Sequence, residues 1–315
     1  MDDVRVWALP MRTRFRGIDV REGLLLHGPA GWGEFSPFWD YDDAACVPWL
    51  AAAREAADVG WPAPLRDRVP VNVTVPAVGP ERATAVVSAS AGCRTAKVKV
   101  AEPGQPEADD LARVEAVRDA LGPGGRVRVD ANGGWDVGTA VRLVTLLDRA
   151  AGGLEYVEQP CRSVEELAAV RRRVDVPIAA DESIRHADDP LRVARLEAAD
   201  IAVLKVQPLG GVRACLRIAE DIGLPVVVSS ALESSVGLAA GVALAAALPE
   251  LPYACGLATT QLLAGDVTAA PFTVLDGALA VARPEPDAML SADEETTERW
   301  LARLRAVSAR EGDGR

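Results

Sequence analysis

Three lysines and three carboxylates are the residues whose types and spacing best suit chemistry in this chain. Of 34 basic residues only Lys97, Lys99 and Lys205 are lysines, the rest being arginine. Arginine stays protonated at any accessible pH, so it serves poorly where an amine must give up and regain a proton. Lysines that persist against such a bias are candidates for proton chemistry, although chance survival explains the same count and two of the three are close neighbours. Lys97 and Lys99 stand in Ala96-Lys97-Val98-Lys99-Val100, an alternation that turns both amines to one strand face, about 6.6 Å apart. Asp130, Glu158 and Asp181 follow at gaps of 28 and 23 residues. Three carboxylates converging on one rim repel strongly unless a cation sits among them. Oxygen-only ligands with room left for water and substrate suit Mg²⁺ or Mn²⁺. The chemistry such a set suits is removal of a proton from the carbon next to a carboxylate. A divalent cation stabilises the resulting enediolate by several kcal/mol. A lysine base titrates ordinarily near pH ~10.4; a second amine, a cation and desolvation all push it toward the neutral form.

The elements that must position these groups repeat from about residue 70 as a short β-branched run, a loop and an Ala/Leu/Arg-rich helical stretch. Strands are expected at 71–75, 96–100, 126–130, 154–158, 178–181, 201–206, 225–229 and 252–257. Helices are expected at 109–121, 137–150, 164–173, 190–197, 211–222 and 235–248. Eight strands about 25 residues apart are what a closed parallel barrel requires. An open doubly wound sheet would show a glycine-rich phosphate turn after its first strand, and 73–79 offers none. On this layout Asp130, Glu158 and Asp181 end the third, fourth and fifth strands. Lys97 and Lys99 lie on the second strand and Lys205 ends the sixth, across the barrel. Edge protection by the lysines is the competing explanation of that strand, but a closed barrel has no edge.

The first 70 residues differ: an antiparallel meander at 4–9, 24–27 and 31–34, a helix at 42–57 and a linker at 61–64. After about residue 270 short-strand and surface-helix character returns. The expected architecture is therefore α/β: a modified TIM barrel of the (β/α)7β kind over 71–269. An α+β cap from 1–70, completed by about 270–315, would close the C-terminal mouth of the strands, where such barrels keep their sites.

Bulk properties set limits. A net charge of −12 argues against nucleic acid and against anionic membrane as partners. The longest apolar run, 236–248, is shorter than the roughly 18 residues a span needs. Asp2 and Asp3 stand where a signal peptide would be basic. Five scattered cysteines with no CxxC pair read as reduced thiols of a cytoplasmic protein. With only His27 and His186, a histidine or zinc site is not expected. A monomer is expected, since no long exposed apolar patch is evident.

Lys97-Val98-Lys99, Asp130-Ala131-Asn132, Glu158-Gln159-Pro160, Asp181-Glu182-Ser183 and Lys205-Val206 together resemble the enolase superfamily, in its muconate-lactonizing subgroup. Pairing of lysine bases with Mg²⁺ is already known for that superfamily. Within the subgroup, the run Met11 to Ile18 with Arg21-Glu22, Ala30-Gly31-Trp32-Gly33-Glu34-Phe35, and Ser229 to Ser235 resemble the o-succinylbenzoate synthase family of the actinobacterial kind. That resemblance covers nearly the whole chain. It implies loss of water from 2-succinyl-6-hydroxy-2,4-cyclohexadiene-1-carboxylate, giving o-succinylbenzoate for menaquinone biosynthesis. It further implies that Lys99 takes the α-proton and returns it to the departing hydroxide, that Lys205 stabilises the anion by charge, and that Lys97 orients the carboxylate. Asp130, Glu158 and Asp181 would hold the metal, with Asn132 and Glu182 in support. Arg128, on the same strand face as Asp130, either contacts substrate or forms a salt bridge inside the barrel. Ser229, Ser230 and Gly256 would line the succinyl pocket, and Arg16 either belongs to a lid or is a solvated surface residue.

Rival activities remain open on the same machinery. An N-succinylamino-acid racemase, a dipeptide epimerase or a muconate cycloisomerase would use the same lysines. Dipeptide epimerases usually carry an acidic pair after the eighth strand, which Cys255-Gly256-Leu257-Ala258-Thr259 lacks. Acid-sugar dehydratases need a histidine on a late strand, where neither His27 nor His186 falls. A non-catalytic binding protein on a retired barrel would have lost a lysine or a carboxylate, and none is missing.

Overall fold

The computed structural model describes residues 3–186, 189–287 and 292–313. The chain opens with β1 (Val4–Phe15), β2 (Ile18–Gly28) and β3 (Gly31–Phe35), an antiparallel sheet in that order. β1 runs well beyond the expected 4–9. Its far half, Met11–Phe15, alternates between half-buried and exposed residues, with Met11 and Phe15 packed at the margin of the N-terminal core. It forms the arm of a hairpin whose turn, Arg16-Gly17, has positive φ at both positions, the geometry that suits a two-residue hairpin. α1 (Val47–Arg54) packs against β3 so closely that a Cβ on Gly33 would meet the Ala53 carbonyl oxygen. A π-helical turn, Glu55–Val59, continues it.

After β4 (Arg68–Pro70) the repeat begins: β5 (Val73–Val75), α2 (Pro80–Ser88), β6 (Thr95–Lys99), α3 (Glu107–Leu121), β7 (Arg126–Asp130), α4 (Val137–Ala151), β8 (Leu154–Glu158) and α5 (Val164–Arg171). It continues with β9 (Ile178–Ala180), α6 (Glu182–Arg185), α7 (Arg192–Arg195), β10 (Ile201–Leu204), α8 (Val212–Ile222), β11 (Val226–Val228) and α9 (Ser235–Ala247). β5 to β11 form one parallel sheet in sequence order. The expected eighth strand, 252–257, is a correction. Pro252 lacks an N–H, and only Cys255 and Gly256 pair, through single parallel bridges to Val71 and Ser229. Those bridges still join the two edges, with the Gly256 N–H donating to the Val228 carbonyl at 2.8 Å and the Ser230 N–H to the Gly256 carbonyl at 3.0 Å. The result is the (β/α)7β barrel with a two-residue eighth stave. Three helices of the barrel also depart from expectation: α2 and α6 were not expected, and the helix expected at 190–197 shrinks to the four residues of α7, with Glu197 just beyond it at φ +50°.

Strand alternation sorts the side chains as the pattern requires. Val73, Val75, Ala96, Val98, Val127 and Val129 pack outward under the helices. Tyr156, Ala179, Ile201, Val203 and Val227 form a separate cluster inside the barrel. Beyond the barrel, Phe272, Val274 and Leu279 still pack with its outer core, and β12 (Ala278–Ala280) pairs with β4. Leu263 and Val267 pack with Trp7, Leu9 and Trp32 of the N-terminal sheet, and α10 (Glu294–Asp313) returns to it too, where Trp300, Leu304 and Val307 are buried with Phe35 and Trp49. All five cysteines are buried and unpaired. Among the described residues, no helix is long and apolar enough to cross a membrane.

Candidate active site

Register brings the chemical residues to one rim. Lys99 pairs with Asp130 and Asp130 with Glu158 across β6, β7 and β8, and Glu158 pairs with Ala179 of β9, two residues before Asp181. Lys205 directly follows β10, which stands across the barrel from β6. Lys97 Nζ donates to Glu158 Oε1 at 2.8 Å and lies 3.2 Å from Asp130 Oδ2. Lys99 Nζ donates to Asp130 Oδ2 at 2.5 Å and to Asn132 Oδ1 at 2.6 Å. Lys205 Nζ donates to Asp181 Oδ2 at 2.7 Å, while Arg185 Nε donates to Asp181 Oδ1 at 3.0 Å.

These pairs differ from the expected gathering of three acids about one point. Among the described residues no three Asp, Glu, His or Cys side chains are grouped closely enough to hold a metal as they stand. Each acid is turned to an amine instead, because three buried carboxylates need positive charge from somewhere. The donor set nevertheless fits a divalent cation. Glu158 is buried, and its Oε2 has no hydrogen-bond partner among the described residues. Burial, then the negative charges of Asp130 and Asp181, push its carboxyl up to about 7 against the pull of Lys97. An all-oxygen trio with an unpartnered buried oxygen is what a hard cation would satisfy. Burial opposes ionisation of Asp130 and Asp181 too, but Lys99 and Lys97 hold the first, and Arg185 and Lys205 the second, well below the usual carboxylate range. Burial works against the Lys97 cation, yet Glu158 and Asp130 outweigh it and raise its pKa. For Lys205 burial wins, and its pKa is lowered.

Tight turns at the strand ends fix this arrangement. Asn132 and Gln159 have φ of +45° and +41°, a region that side chains other than glycine seldom adopt and that clusters at functional sites. The Gln159 amide staples the next strand end, its Oε1 accepting from the Asp181 N–H at 3.0 Å and its Nε2 donating to Ser183 Oγ at 2.7 Å. Asn132 Nδ2 donates to Glu182 Oε1 at 3.1 Å.

Lys99, Lys205, Asn132 and Glu182 line a cavity of about 770 Å³ between the rim and the N-terminal sheet, while Lys97 and the three carboxylates lie buried behind its wall. The β1–β2 hairpin forms the opposite wall. Phe15 sits with its ring 5.4 Å from Lys99 Nζ, and Arg16 stacks on Phe38 at 4.0 Å and bonds Asp40 at 3.0 Å. Arg16 therefore lines the cavity rather than merely meeting solvent. Ser230 lines it too; Ser229 and Gly256 do not, being occupied in the bridge that closes the barrel. Arg128 is likewise not at the cavity. It lies deeper in the lumen, paired with Glu155 and donating to the Ala254 carbonyl at 2.7 Å. The salt-bridge alternative describes it.

Sequence reasoning missed Tyr41, Phe15 and Arg185. Only Arg185 carried a local signal, four residues after Asp181 and so on the same face of one helical turn. It also missed how the N-terminal unit is fastened. Glu34 accepts from the Ser234 and Gly237 N–H groups at the start of α9, both at 3.2 Å, and Glu55 from the Val212 and Arg213 N–H groups at the start of α8, at 2.5 and 3.1 Å. These acids cap helix N-termini, where negative charge is favoured. Burial pushes Glu34 up to about 7 despite bonds from Ser234 and Ser36.

A family model described as enolase C-terminal domain-like matches residues 81–287, and one described as enolase N-terminal domain-like matches residues 6–57. The chain is 67% identical to the o-succinylbenzoate synthase of Thermobifida fusca, covering 97% of this chain and 96% of that one. It is 58% identical to that of Mycolicibacterium smegmatis, covering 98% and 96%, and 57% identical to that of Mycobacterium tuberculosis, covering 97% and 94%. Among solved structures, the L-Ala-D/L-Glu epimerase of Bacillus subtilis aligns with a TM-score of 0.77 at 23% identity, over 90% of this chain and 96% of that one. The muconate lactonizing enzyme of Pseudomonas fluorescens aligns with a TM-score of 0.77 at 23% identity, over 95% and 97%. At such identity these two structures speak to the fold alone.

Proposed function

We propose, on the premise that this chain belongs to the enolase superfamily and within it to the o-succinylbenzoate synthases, that Lys99 and Lys205 dehydrate 2-succinyl-6-hydroxy-2,4-cyclohexadiene-1-carboxylate between them. The activity of the family is that of a carbon–oxygen lyase. Its superfamily generally uses a divalent metal, and here Asp130, Glu158 and Asp181 would hold it. The observation that carries the assignment of residues is that two amines from opposite staves, Lys99 and Lys205, line one cavity with the three acids on the staves between.

Lys99 takes the proton from the ring carbon that bears the carboxylate. The electron pair left behind forms the double bond to the neighbouring carbon, the C–O bond there breaks, and Lys99 returns the proton to the departing hydroxide as water. The ring becomes aromatic, which makes the step strongly downhill. Lys205, on the other side, contributes charge rather than a proton. Lys97, held by Glu158 and Asp130, orients the substrate carboxylate and keeps positive charge beside Lys99. A bound divalent cation would supply Lewis-acid stabilisation of the second negative charge on the substrate carboxylate. Phe15, Arg16 and Tyr41 exclude water, which strengthens every charge interaction inside.

The same reading makes the metal Mg²⁺, with Mn²⁺ as substitute, since all the ligands are oxygen. It makes residues 1–70 with the C-terminal tail the cap, the partner a small carboxylate, the chain a monomer and its place the cytoplasm, where o-succinylbenzoate would serve menaquinone synthesis. The test is an assay of the purified chain with Mg²⁺ on the cyclohexadiene carboxylate, beside N-succinylamino acids in D₂O. Rapid loss of the diene without deuterium entering the amino acids is expected. Deuterium incorporation faster than dehydration would transfer the assignment to racemisation.

A further inference from the structure

Lys99 and Lys205 are held by different acceptors, and one side chain joins both. Arg185, on α6, donates through Nε to Asp181 Oδ1 at 3.0 Å, through Nη2 to Glu182 Oε1 at 2.6 Å and through Nη1 to the Tyr41 hydroxyl at 2.5 Å. Asp181 holds Lys205 by its other oxygen, at 2.7 Å. Glu182 Oε1 also accepts from Asn132 Nδ2 at 3.1 Å, and Asn132 Oδ1 accepts from Lys99 Nζ at 2.6 Å. Two branches thus leave one guanidinium, a short one to Lys205 and a longer one to Lys99. The third arm leaves the barrel altogether: Tyr41 belongs to the N-terminal unit, where its ring packs edge-on against Trp49 with centroids 5.5 Å apart.

We propose that Arg185 is a positioning residue that couples the seating of the N-terminal cap, sensed through Tyr41, to the placement of both lysines and of Asp181 as a metal ligand. The inference rests on the functional reading above for the roles of the lysines and the metal. Charge alone does not explain the arrangement. A lysine at 185 would neutralise Asp181 and Glu182 equally well, but a single ammonium lacks the planar fork that reaches three acceptors in fixed directions. Burial weighs against the Arg185 charge, yet Asp181 and Glu182 outweigh it, so the guanidinium stays a cation. Partners that orient a metal ligand typically contribute 10–100-fold to affinity or activity.

The experiment compares the wild type with Arg185→Lys, Arg185→Gln and Tyr41→Phe. Mn²⁺ binding without substrate is measured by calorimetry, kcat and KM on the diene by steady-state kinetics, and folding by thermal melts. Arg185→Lys is expected to melt within a few degrees of the wild type, to bind Mn²⁺ about 10–100-fold more weakly and to lose kcat more than it raises KM. Arg185→Gln should behave no better. Tyr41→Phe keeps the ring and removes one hydroxyl; it should weaken Mn²⁺ binding less than Arg185→Lys does and lower kcat/KM about 5–10-fold, roughly the value of one hydrogen bond. Wild-type Mn²⁺ affinity and kcat in Arg185→Lys would overturn the proposal, because charge would then suffice. Wild-type kcat/KM in Tyr41→Phe would overturn the link to the cap. The Mn²⁺ arm needs no substrate, so its outcome stands apart from failure of the wild type to dehydrate the diene, which would defeat the functional reading instead.

Discussion

Strand β7 carries two charged residues into the same barrel lumen, and they do opposite things. Arg128 and Asp130 are two residues apart, so alternation turns both inward, and both are buried. Around Arg128 the charge is balanced within the layer. Glu155 balances the charge, the Tyr156 hydroxyl and the Asn72 and Ala254 oxygens surround Nη1, Nη2 has no partner among the described residues, and the rings of Tyr156 and Tyr253 face the guanidinium at 4.7 and 5.7 Å. Around Asp130 the layer is mutually dependent: acids on three consecutive staves are held by amines from the staves on either side, Glu158 Oε2 has no partner among the described residues, and two of the amines open on the cavity. Burial of charge therefore does not mark a site. Nor does an unpartnered buried atom, since Arg128 Nη2 and Glu158 Oε2 are both of that kind; what marks it is three acids on neighbouring staves at the height where the lumen meets a cavity.

Substitution should separate the two layers. Lys99→Ala should lower kcat for dehydration about 10³–10⁴-fold, the upper range for a general base, with little change in melting temperature. Appreciable turnover by that variant would remove Lys99 from the role. Lys205→Arg should also lose most activity, because a longer, planar guanidinium cannot set its charge where the ammonium that donates to Asp181 Oδ2 at 2.7 Å now stands; full activity would mean that a fixed charge is all the position needs. Arg128→Met should do the reverse. Removing one member of a buried pair typically costs about 3–5 kcal/mol. Here about 3 is expected, since Arg126 Nη1 still holds Glu155 at 2.8 Å. Urea unfolding reads that loss, and kcat of the folded fraction should stay within a few-fold of the wild type. A large kcat loss at wild-type stability would merge the two layers into one.

The parts of this arrangement that are local in sequence were legible from sequence. Asp130 and Glu158 end strands whose bounds, 126–130 and 154–158, are those observed, and the Lys97/Lys99 alternation set both amines inward. The height of Arg128 was not legible, because alternation gives the face and not the depth at which the cavity begins. The eighth stave misled because its apolar run resembles the others, while Pro252 and tertiary closure limit its pairing to Cys255 and Gly256. Tyr41 and Phe15 reach the site only through the docking of the N-terminal sheet. That docking depends on Glu34 and Glu55 meeting the starts of α9 and α8, a pairing over more than 150 residues of chain that no spacing rule reports.

A buried acid outside both layers tests how much of the upper layer's behaviour is burial alone. Glu34, like Glu158, is pushed up to about 7, but both of its oxygens accept hydrogen bonds. Its folded pKa lies above the unfolded value of about 4.3, so the folded state binds more protons in that window. Stability should be greatest below the unfolded pKa, fall as pH rises towards about 7, and level off above it. The full difference is on the order of 3 kcal/mol. Glu34→Gln should flatten that slope in urea midpoints measured from pH 5 to 8. An unchanged slope would assign the titration to Glu158 or another group.

The smallest effect bears most directly on the contrast between the layers. If the Asp130 layer wants a divalent cation, metal at a hundred times its dissociation constant should stabilise the folded chain by about 2.7 kcal/mol. For a chain of this size that is on the order of 5 °C in melting temperature. A chelator should reverse it. The Arg128 layer has no stake in that cation, so Arg128→Met should melt lower yet show the same increment on adding Mg²⁺, as independent sites add. Glu158→Gln should lose most of the increment, because it removes the charge whose oxygen lacks a partner. The apo form of that variant should be no less stable than the apo wild type, since a neutral amide relieves the repulsion from Asp130 and Asp181 that raises the Glu158 carboxyl. Should Glu158→Gln keep the full metal increment, the cation is not bound at this rim, and the unanswered charge there has some other purpose.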